Sequence, residues 1–216
     1  MEVKRENLMA FINNALQEDV REGDHTSLST IPESAIGKAK LLVKDNGILA
    51  GVELAKLIFE TVDPALKVET FMQDGDAMKV GDIAFFVEGP DRSILTAERL
   101  VLNCMQRMSG IATVTRSIVD KLEGTKCKVL DTRKTTPGIR LLEKWAVKIG
   151  GGVNHRFGLF DMILIKDNHV DYAGGIKNAL LSAQGYVKEK GLDIPIEIEV
   201  RNLDELKEVL EIGGVI

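Results

Sequence analysis

Apolar residues in the first hundred positions of the chain follow two kinds of spacing. They recur at helical spacing over positions 7–18 and 52–61, which predicts two amphipathic helices. Shorter apolar runs, bounded by Asp, Asn and Gly, predict strands at positions 39–44, 47–50, 67–72 and 82–88. Short strands and helices around glycine-containing turns favour a small α/β sandwich in this part of the chain.

Strands and helices alternate in the second half of the chain. A long helix is predicted over positions 96–122, with a break near Ser109-Gly110. Strands are predicted at positions 128–131, 161–165 and 194–200, and helices at positions 136–149, 175–190 and 203–212. Thr136 before Pro137, and Asn202 before the last helix, are the expected N-caps.

This alternation implies a parallel sheet or barrel and therefore an α/β fold. We predict an N-terminal α/β sandwich with the bridging helix over residues 1–110 and a partial α/β barrel over residues 111–216. No G-x-G-x-x-G motif follows a strand, so a dinucleotide-binding fold is not supported. The three complete βα units are fewer than a barrel of this type needs, so we expect a missing C-terminal part.

Composition restricts the classes of function. The 216 residues are 44% hydrophobic and 28% charged, with a formal net charge of −5, which argues against general binding to nucleic acid or anionic membranes. The two cysteines form no CxxC motif, so we expect neither a disulfide framework nor a zinc site, and a cytoplasmic protein. No apolar run resembles a signal peptide or reaches the roughly 18 residues of a membrane span.

Residues 131–169 differ from the rest of the acidic chain in charge. They contain seven Lys or Arg against four Asp or Glu, a net charge of +3. Three of these cations have helical spacing and are predicted to form a solvated helix face: Arg140, Lys144 and Lys148. Four others directly follow predicted strands or glycines: Arg133, Lys134, Arg156 and Lys166. Such a group suits a small polyanion, either a dicarboxylate or a phosphate ester.

Two histidines and two carboxylates are further candidates. His155 follows the run Gly150-Gly151-Gly152 and is predicted to face a ligand, while His169 is equally compatible with a capping role beside Asp167. Glu197 and Glu199 have strand spacing and therefore share one face, which is either a polar barrel interior or a solvated sheet edge.

Several motifs in this order resemble the quinolinate phosphoribosyltransferase family. They are Glu18-Asp-Val-Arg-Glu-Gly-Asp24, Ala97-Glu-Arg-Leu-Val-Leu-Asn103, Ser109-Gly-Ile-Ala-Thr113, Asp131-Thr-Arg-Lys-Thr-Thr-Pro-Gly138, Leu142-Glu-Lys-Trp-Ala-Val147, Gly150-Gly-Gly-Val-Asn-His-Arg156, Leu164-Ile-Lys-Asp-Asn-His169 and Glu197-Ile-Glu-Val200. The resemblance implies an N-terminal sandwich, an open α/β barrel of the phosphoribosyltransferase type, and a homodimer. It also implies that quinolinate reacts with phosphoribosyl pyrophosphate and Mg²⁺ to give nicotinate mononucleotide, pyrophosphate and CO₂.

The resemblance also implies roles for individual residues. The substrate-binding positions are Arg99, Thr132, Arg133, Lys134, His155, Arg156, Lys166 and Glu199. Arg99 is the arginine that the family contributes from the partner subunit, and Glu199 lies near the ribose and is a possible metal ligand. We predict that Lys134, Lys166 and Glu199 are catalytic.

The resemblance leaves one departure and two alternatives. The family continues with a further acidic strand-end residue and two glycine-containing phosphate loops, which these residues do not contain, so turnover by this chain stays open. One alternative is a related protein of the same fold with another substrate, such as the proteins of molybdenum loci. The other is a non-catalytic chain whose N-terminal sandwich mediates assembly.

Overall fold

The computed structural model describes residues 3–216, which fold as a mixture of helices and strands. The chain forms two compact units, the first ending at His155 and the second spanning Arg156–Ile216. The predicted domain boundary at residue 110 is not tested by this division and stays a prediction. Within residues 3–216, no helix is long and apolar enough to cross a membrane.

The first unit contains two small antiparallel sheets and the helices around them. Its strands are β1 (Ile36–Leu42), β2 (Gly47–Ile48), β3 (Lys67–Thr70), β4 (Ala77–Met78) and β5 (Ile83–Pro90). One sheet has the order β1-β5-β3, and β2 pairs with β4. Its helices are α1 (Arg5–Asp19), α2 (His25–Thr30), α3 (Val52–Val62), α4 (Asp91–Val119) and α5 (Arg140–Ile149), with a 3-10 turn at Asp120–Leu122.

Helix α3 begins where the backbone turns sharply and a distant carboxylate caps it. Gly51 has a φ of 99°, a conformation that favours glycine. One carboxylate oxygen of Asp74 accepts hydrogen bonds from the Gly51 N–H at 2.6 Å and the Val52 N–H at 2.8 Å. Burial raises the pKa of Asp74 despite these bonds. The buried face of α3 then contributes Leu54, Ile58 and other apolar residues to the main core.

Helix α4 is continuous over 29 residues, so the predicted break near Ser109-Gly110 is wrong. The Ser109 hydroxyl is buried and satisfied across the structure: it accepts from the Ala50 N–H at 2.9 Å and donates to the Ala50 carbonyl at 3.2 Å. This serine therefore packs the helix against the connection between β2 and α3 instead of interrupting it.

The second unit is a βα arrangement with its own apolar cluster. It contains β6 (Ile163–Ile165), α6 (Asp167–Ala173), α7 (Ile176–Lys190), β7 (Ile196–Ile198) and α8 (Leu203–Ile212). Strands β6 and β7 are parallel, with Ile165 opposite Ile198. The predicted α/β class is confirmed, and no closed barrel is formed among residues 3–216.

The cap of α8 is confirmed in detail. The Asn202 side chain accepts hydrogen bonds from the N–H groups of Asp204 at 3.0 Å and Glu205 at 2.9 Å. These bonds satisfy two amide groups that the first turn of a helix leaves free.

Candidate anion-binding site

The predicted strand at 128–131 is reduced to a single parallel bridge between Leu130 and Val153. The Val153 N–H donates to the Val129 carbonyl at 2.8 Å, and the Asp131 N–H donates to the Val153 carbonyl at 3.2 Å. Because the two bridged segments run parallel, the residues that follow each segment lie at the same end of the bridge. Thr132 follows the first segment, and His155 follows the second.

Asp131 joins this bridge to helix α5. Its carboxylate accepts hydrogen bonds from Lys144 Nζ, from Asn154 Nδ2 at 2.6 Å and from the His155 N–H at 2.9 Å. The side chains of Lys144 and Asp131 are only 1% and 7% exposed. The prediction that Lys144 belongs to a solvated helix face is therefore wrong, although Lys148 on the same helix is exposed.

The loop after Asp131 carries three of the predicted substrate-binding residues. The Thr132 hydroxyl accepts from the Lys134 N–H at 3.0 Å, which closes a tight turn. The Lys134 side chain is exposed, whereas Arg133 is half-buried. Arg133 Nε is buried and has no hydrogen-bond partner among the described residues. A buried donor without a partner is unfavourable, so this nitrogen marks Arg133 as a side chain whose hydrogen bonding is incomplete within residues 3–216.

Glu143 fastens the same loop to helices α4 and α5. Its carboxylate accepts from Arg107 Nη2 at 2.6 Å and from the Thr136 N–H at 3.0 Å. Burial alone would raise the pKa of Glu143, but hydrogen bonds from Arg107 and Thr136 outweigh burial and hold the pKa below its ordinary value. Thr136 is not the N-cap of α5, because Gly138 has a φ of 85° and so lies outside helical geometry. The helix begins at Arg140 with Ile139 in the cap position.

The glycines after α5 allow close packing against α4. A Cβ atom on Gly150 would lie 2.5 Å from the Ala112 carbonyl oxygen and 2.7 Å from Thr115 Cβ. Gly151 has a φ of 93°, which favours glycine. The run therefore ends the helix and brings the loop that follows it against α4.

In the second unit, a lysine and a glutamate meet at the carboxyl ends of the two parallel strands. Lys166 follows β6, Glu199 follows β7, and Lys166 Nζ donates to Glu199 Oε1 at 2.6 Å. The parallel register causes this meeting, since the Glu199 N–H also donates to the Ile165 carbonyl at 2.9 Å. The two side chains are 44% and 53% exposed and so remain open to a ligand.

His169 has the capping role. Its Nδ1 accepts from the Lys166 N–H at 2.9 Å at the start of helix α6, a helix that the sequence pattern did not predict. The Asp167 side chain accepts from the Asn168 N–H at 2.8 Å. Among residues 3–216, no hydrogen bond joins the Asp167 carboxylate to the His169 imidazole.

Arg156 is nearly buried in the second unit, at 9% exposure. Its Nη1 donates to the Met162 carbonyl at 3.3 Å, a long hydrogen bond. Asp161 shapes the turn that follows, because its carboxylate accepts from the N–H groups of Phe157 at 2.6 Å and Gly158 at 2.8 Å. Arg156 also lines a cavity of about 340 Å³ together with His169.

Arg99 lies on helix α4, and its side chain is exposed. Within the described part of the chain, no ion pair or hydrogen bond joins it to another predicted site residue. It lines a cavity of about 320 Å³ with Glu18 and Asp19 from the end of α1.

The predicted site residues thus belong to two groups, one in each unit. The first unit contains Arg99, Thr132, Arg133, Lys134 and His155, and the second contains Arg156, Lys166 and Glu199. Their roles in binding and catalysis stay predictions.

The sequence did not reveal the support that Lys144 and Asn154 give to Asp131. Glu143, Lys144 and Lys148 lie on one polar face of α5, and the helical pattern alone does not distinguish the buried members of that face from the exposed one. The buried lysine and glutamate have partners from elsewhere in the fold, as buried charges require.

Fold and site together define an α/β protein in which cationic side chains follow strand ends. Comparison with known families narrows this class. The model of the N-terminal domain of quinolinate phosphoribosyl transferase matches residues 24–109, and that of the C-terminal domain matches residues 111–216. The chain belongs to the quinolinate phosphoribosyltransferase family.

Individual relatives agree with this assignment. The chain is 52% identical over 205 residues to the chloroplastic nicotinate-nucleotide pyrophosphorylase [carboxylating] of Arabidopsis thaliana, covering 94% of this chain and 58% of that protein. It is 41% identical over 207 residues to a probable nicotinate-nucleotide pyrophosphorylase of Bacillus subtilis, covering 96% of this chain and 70% of that protein. The chain therefore spans somewhat more than half the length of the plant relative.

Solved structures show the same fold. The nicotinate-nucleotide pyrophosphorylase of Francisella tularensis matches with a TM-score of 0.88 at 38% identity, covering 97% of this chain and 73% of that one. NadC from Streptococcus pyogenes matches with a TM-score of 0.89 at 36% identity, covering 96% of this chain and 73% of that one.

Proposed function

We propose that this chain binds quinolinate and takes part in its conversion by phosphoribosyl pyrophosphate to nicotinate mononucleotide, pyrophosphate and CO₂. The family and the names of its relatives support the reaction. The single structural observation that carries the proposal is the contact between Lys166 and Glu199 at the ends of two parallel strands. A cation for an anionic substrate and a carboxylate for a developing positive charge stand side by side there.

The cations suit both carboxylates of quinolinate. The guanidinium group of Arg133 is a planar set of donors that matches a carboxylate in two-point contact, and its hydrogen bonding is incomplete within residues 3–216. Lys134 follows the Leu130 segment of the parallel bridge, His155 follows the Val153 segment, and both residues supply further donors. We assign the binding of the substrate dicarboxylate to these residues, with Thr132 and Arg156 in support.

The chemistry requires opposite charges at different positions. When the pyridine nitrogen attacks the anomeric carbon and pyrophosphate leaves, positive charge develops on the ribose, and the Glu199 carboxylate stabilises it electrostatically. Lys166, which is released from Glu199 when substrate binds, is free to hold a carboxylate or phosphate oxygen. Lys134 is the corresponding cation in the first unit, and we propose that it orients the reacting groups.

The substituted pyridinium then withdraws electrons from the adjacent carboxylate. When CO₂ leaves, the electron pair of the broken bond stays on the ring carbon beside the cationic nitrogen, and that carbon then takes up a proton. A cation bound tightly to the leaving carboxylate would oppose this step, because the departing CO₂ is neutral. We therefore propose that the residues around this carboxylate orient it and exclude water, while the other carboxylate is held more strongly.

Mg²⁺ is the proposed cofactor. Residues 3–216 contain no group of three or more His, Cys, Asp or Glu side chains that is placed to hold a metal. Proteins commonly bind Mg²⁺ through one or two carboxylates together with substrate phosphates and water. Glu199 is the proposed protein ligand, and the ion would offset the charge of the leaving pyrophosphate.

We also propose a homodimer in which Arg99 acts in the site of the partner subunit. In support, Arg99 is exposed on α4, and no ion pair to it is formed within residues 3–216. A dimer is expected in sedimentation equilibrium. Arg99→Ala should weaken quinolinate binding without dissociating the dimer. A monomer at all concentrations would contradict this assignment.

A cytoplasmic location is proposed from the cysteines. Cys104 is buried, Cys127 is exposed, and both are free thiols. Burial raises the pKa of Cys104 to about 11, which makes it unreactive.

The reaction is tested by incubating the protein with quinolinate, phosphoribosyl pyrophosphate and Mg²⁺ and separating the products by chromatography. We expect nicotinate mononucleotide only when all three are present. Product formation with nicotinate in place of quinolinate, or from quinolinate without phosphoribosyl pyrophosphate, would contradict the proposed reaction.

A further inference from the structure

Lys144 and Asp131 form a buried ion pair in the first unit. Lys144 lies on helix α5, and Asp131 directly follows the Leu130–Val153 bridge. Since the two charges cancel, the pair adds no net charge to the anion-binding site. Lys144 is also turned toward Asp131 and is 1% exposed, so it is not itself a ligand for substrate.

The pair extends into a four-residue network of Asp131, Lys144, Asn154 and His155. Lys144 Nζ donates to the His155 carbonyl at 3.1 Å, and the Asp131 carboxylate accepts the His155 N–H at 2.9 Å. Both backbone polar groups of His155 are therefore held by the ion pair. Asn154 Nδ2 connects the same partners, donating to Asp131 at 2.6 Å and to the Lys144 carbonyl at 2.8 Å.

Stability does not account for this arrangement. A buried ion pair gains little over apolar residues of the same size, because both charges lose their hydration. Asn154 Oδ1 is moreover buried without a hydrogen-bond partner among residues 3–216, which is unfavourable. The network instead restricts the backbone at the predicted binding residues. His155 belongs to the network, and Arg133 is only two residues after Asp131.

We propose that Lys144 is a positioning residue for the anion-binding site. Through Asp131 it holds the start of the Thr132–Lys134 turn and the backbone of His155 in one geometry, before substrate arrives. The inference rests on the proposed function, since quinolinate is the ligand whose binding it affects. Misplacement of binding groups by about 1 Å is enough to reduce function about 100-fold.

The test is Lys144→Met, which removes the charge and keeps the length of the side chain. Its matched control is Lys148→Met, one turn further along α5 and exposed. Quinolinate affinity is measured by titration calorimetry at a temperature where circular dichroism shows each protein folded. We expect Lys144→Met to weaken binding about 10- to 100-fold and Lys148→Met to change it less than about twofold. Affinity within twofold of wild type in folded Lys144→Met would overturn the proposal.

A spectroscopic readout separates positioning from stability. The chain has 3 histidines, so the His155 imidazole signals can be assigned in a heteronuclear NMR spectrum by comparison with His155→Gln. We expect Lys144→Met to shift the His155 signals in the absence of ligand, while those of His25 and His169 stay in place. Unchanged His155 signals in the folded variant would contradict the proposal.

If Lys144→Met does not fold, Asn154→Ala tests the positioning role instead, because it keeps the ion pair. It removes two hydrogen bonds and leaves no buried charge without a partner, so it is expected to fold. We expect the same His155 shift and a weakening of quinolinate binding of about tenfold, and wild-type values for both would overturn the proposal. If wild type binds no quinolinate, the proposed function fails, whereas the ligand-free His155 comparison still tests the positioning.

Discussion

Lys144 and Lys166 each donate to a carboxylate, but the two ion pairs differ in burial and therefore in their contribution to stability. The Lys144–Asp131 pair is almost fully buried, and removing one partner of such a pair costs about 3–5 kcal/mol of stability because the other charge stays buried. The Lys166–Glu199 pair is about half exposed, and such pairs contribute about 0–1 kcal/mol. At the scale of single residues, Lys166 is therefore available for function at little cost to the fold.

Lys166→Ala should consequently separate binding from stability. We expect the free energy of unfolding to change by less than about 1 kcal/mol and the Kd for quinolinate to rise about 10- to 100-fold, as for the loss of a charge-assisted hydrogen bond. Urea denaturation and titration calorimetry measure the two quantities. Lys207→Ala is the control, since Lys207 forms an exposed pair with Asp204 at 2.9 Å. Equal ligand affinity in the two variants would contradict the role of Lys166.

The lowered pKa of Glu143 makes a second prediction at this scale. Above pH 4.5, its ordinary pKa, the ionised carboxylate stabilises the fold fully, and this contribution is lost as the pH falls through the lower folded pKa. Glu143→Gln should be about 1.5–3 kcal/mol less stable at pH 7, with a difference that narrows below pH 4.5. Urea denaturation over a pH series measures this, with the exposed Glu211→Gln as control for the lost charge. A difference that is the same at pH 7 and at pH 3 would rule out this source of acid sensitivity.

At the scale of elements, the sequence predicted what local patterns determine. Helices α1, α3, α7 and α8 follow apolar spacing within one segment, and each was predicted within a few residues. The start of α5 was misplaced because Gly138, with a φ of 85°, interrupts helical geometry after Pro137, so that the helix begins only at Arg140. Helix α6 was missed because its cap is the side chain of His169, which sequence spacing alone left open.

The contact between α4 and the end of α5 gives a prediction for these elements. Gly150→Ala places a Cβ against the backbone of Ala112, so we expect a loss of stability of more than about 1 kcal/mol. The control is Gly185→Ala in α7, where nothing lies within 4 Å of the added atom. There a gain of about 0.5–1 kcal/mol is expected from helix propensity. Thermal or urea unfolding measures both, and a neutral Gly150→Ala would show that the two helices are not packed closely.

At the scale of the whole molecule, the acidic chain contains a local cationic site. The net charge is −5, whereas residues 131–169 carry +3, and this contrast was visible in the sequence. The sequence did not reveal which cations are buried. Lys144 and Arg140 look alike in the helical pattern, but only a fold that brings Asp131 from 13 residues away buries the first as an ion pair. Family and fold class were predictable because they depend on ordered motifs, whereas this pairing depends on tertiary contacts.

Arg133, Lys134 and Lys166 are proposed to recognise a pyridine that carries two carboxylates. Titration calorimetry of the wild-type protein with quinolinate, and separately with nicotinate, tests it most directly because the two ligands differ by one carboxylate. We expect quinolinate to bind at least about tenfold more tightly than nicotinate, the equivalent of about 1.4 kcal/mol. Equal affinity for the two ligands, or no binding of quinolinate at millimolar concentration, would contradict it.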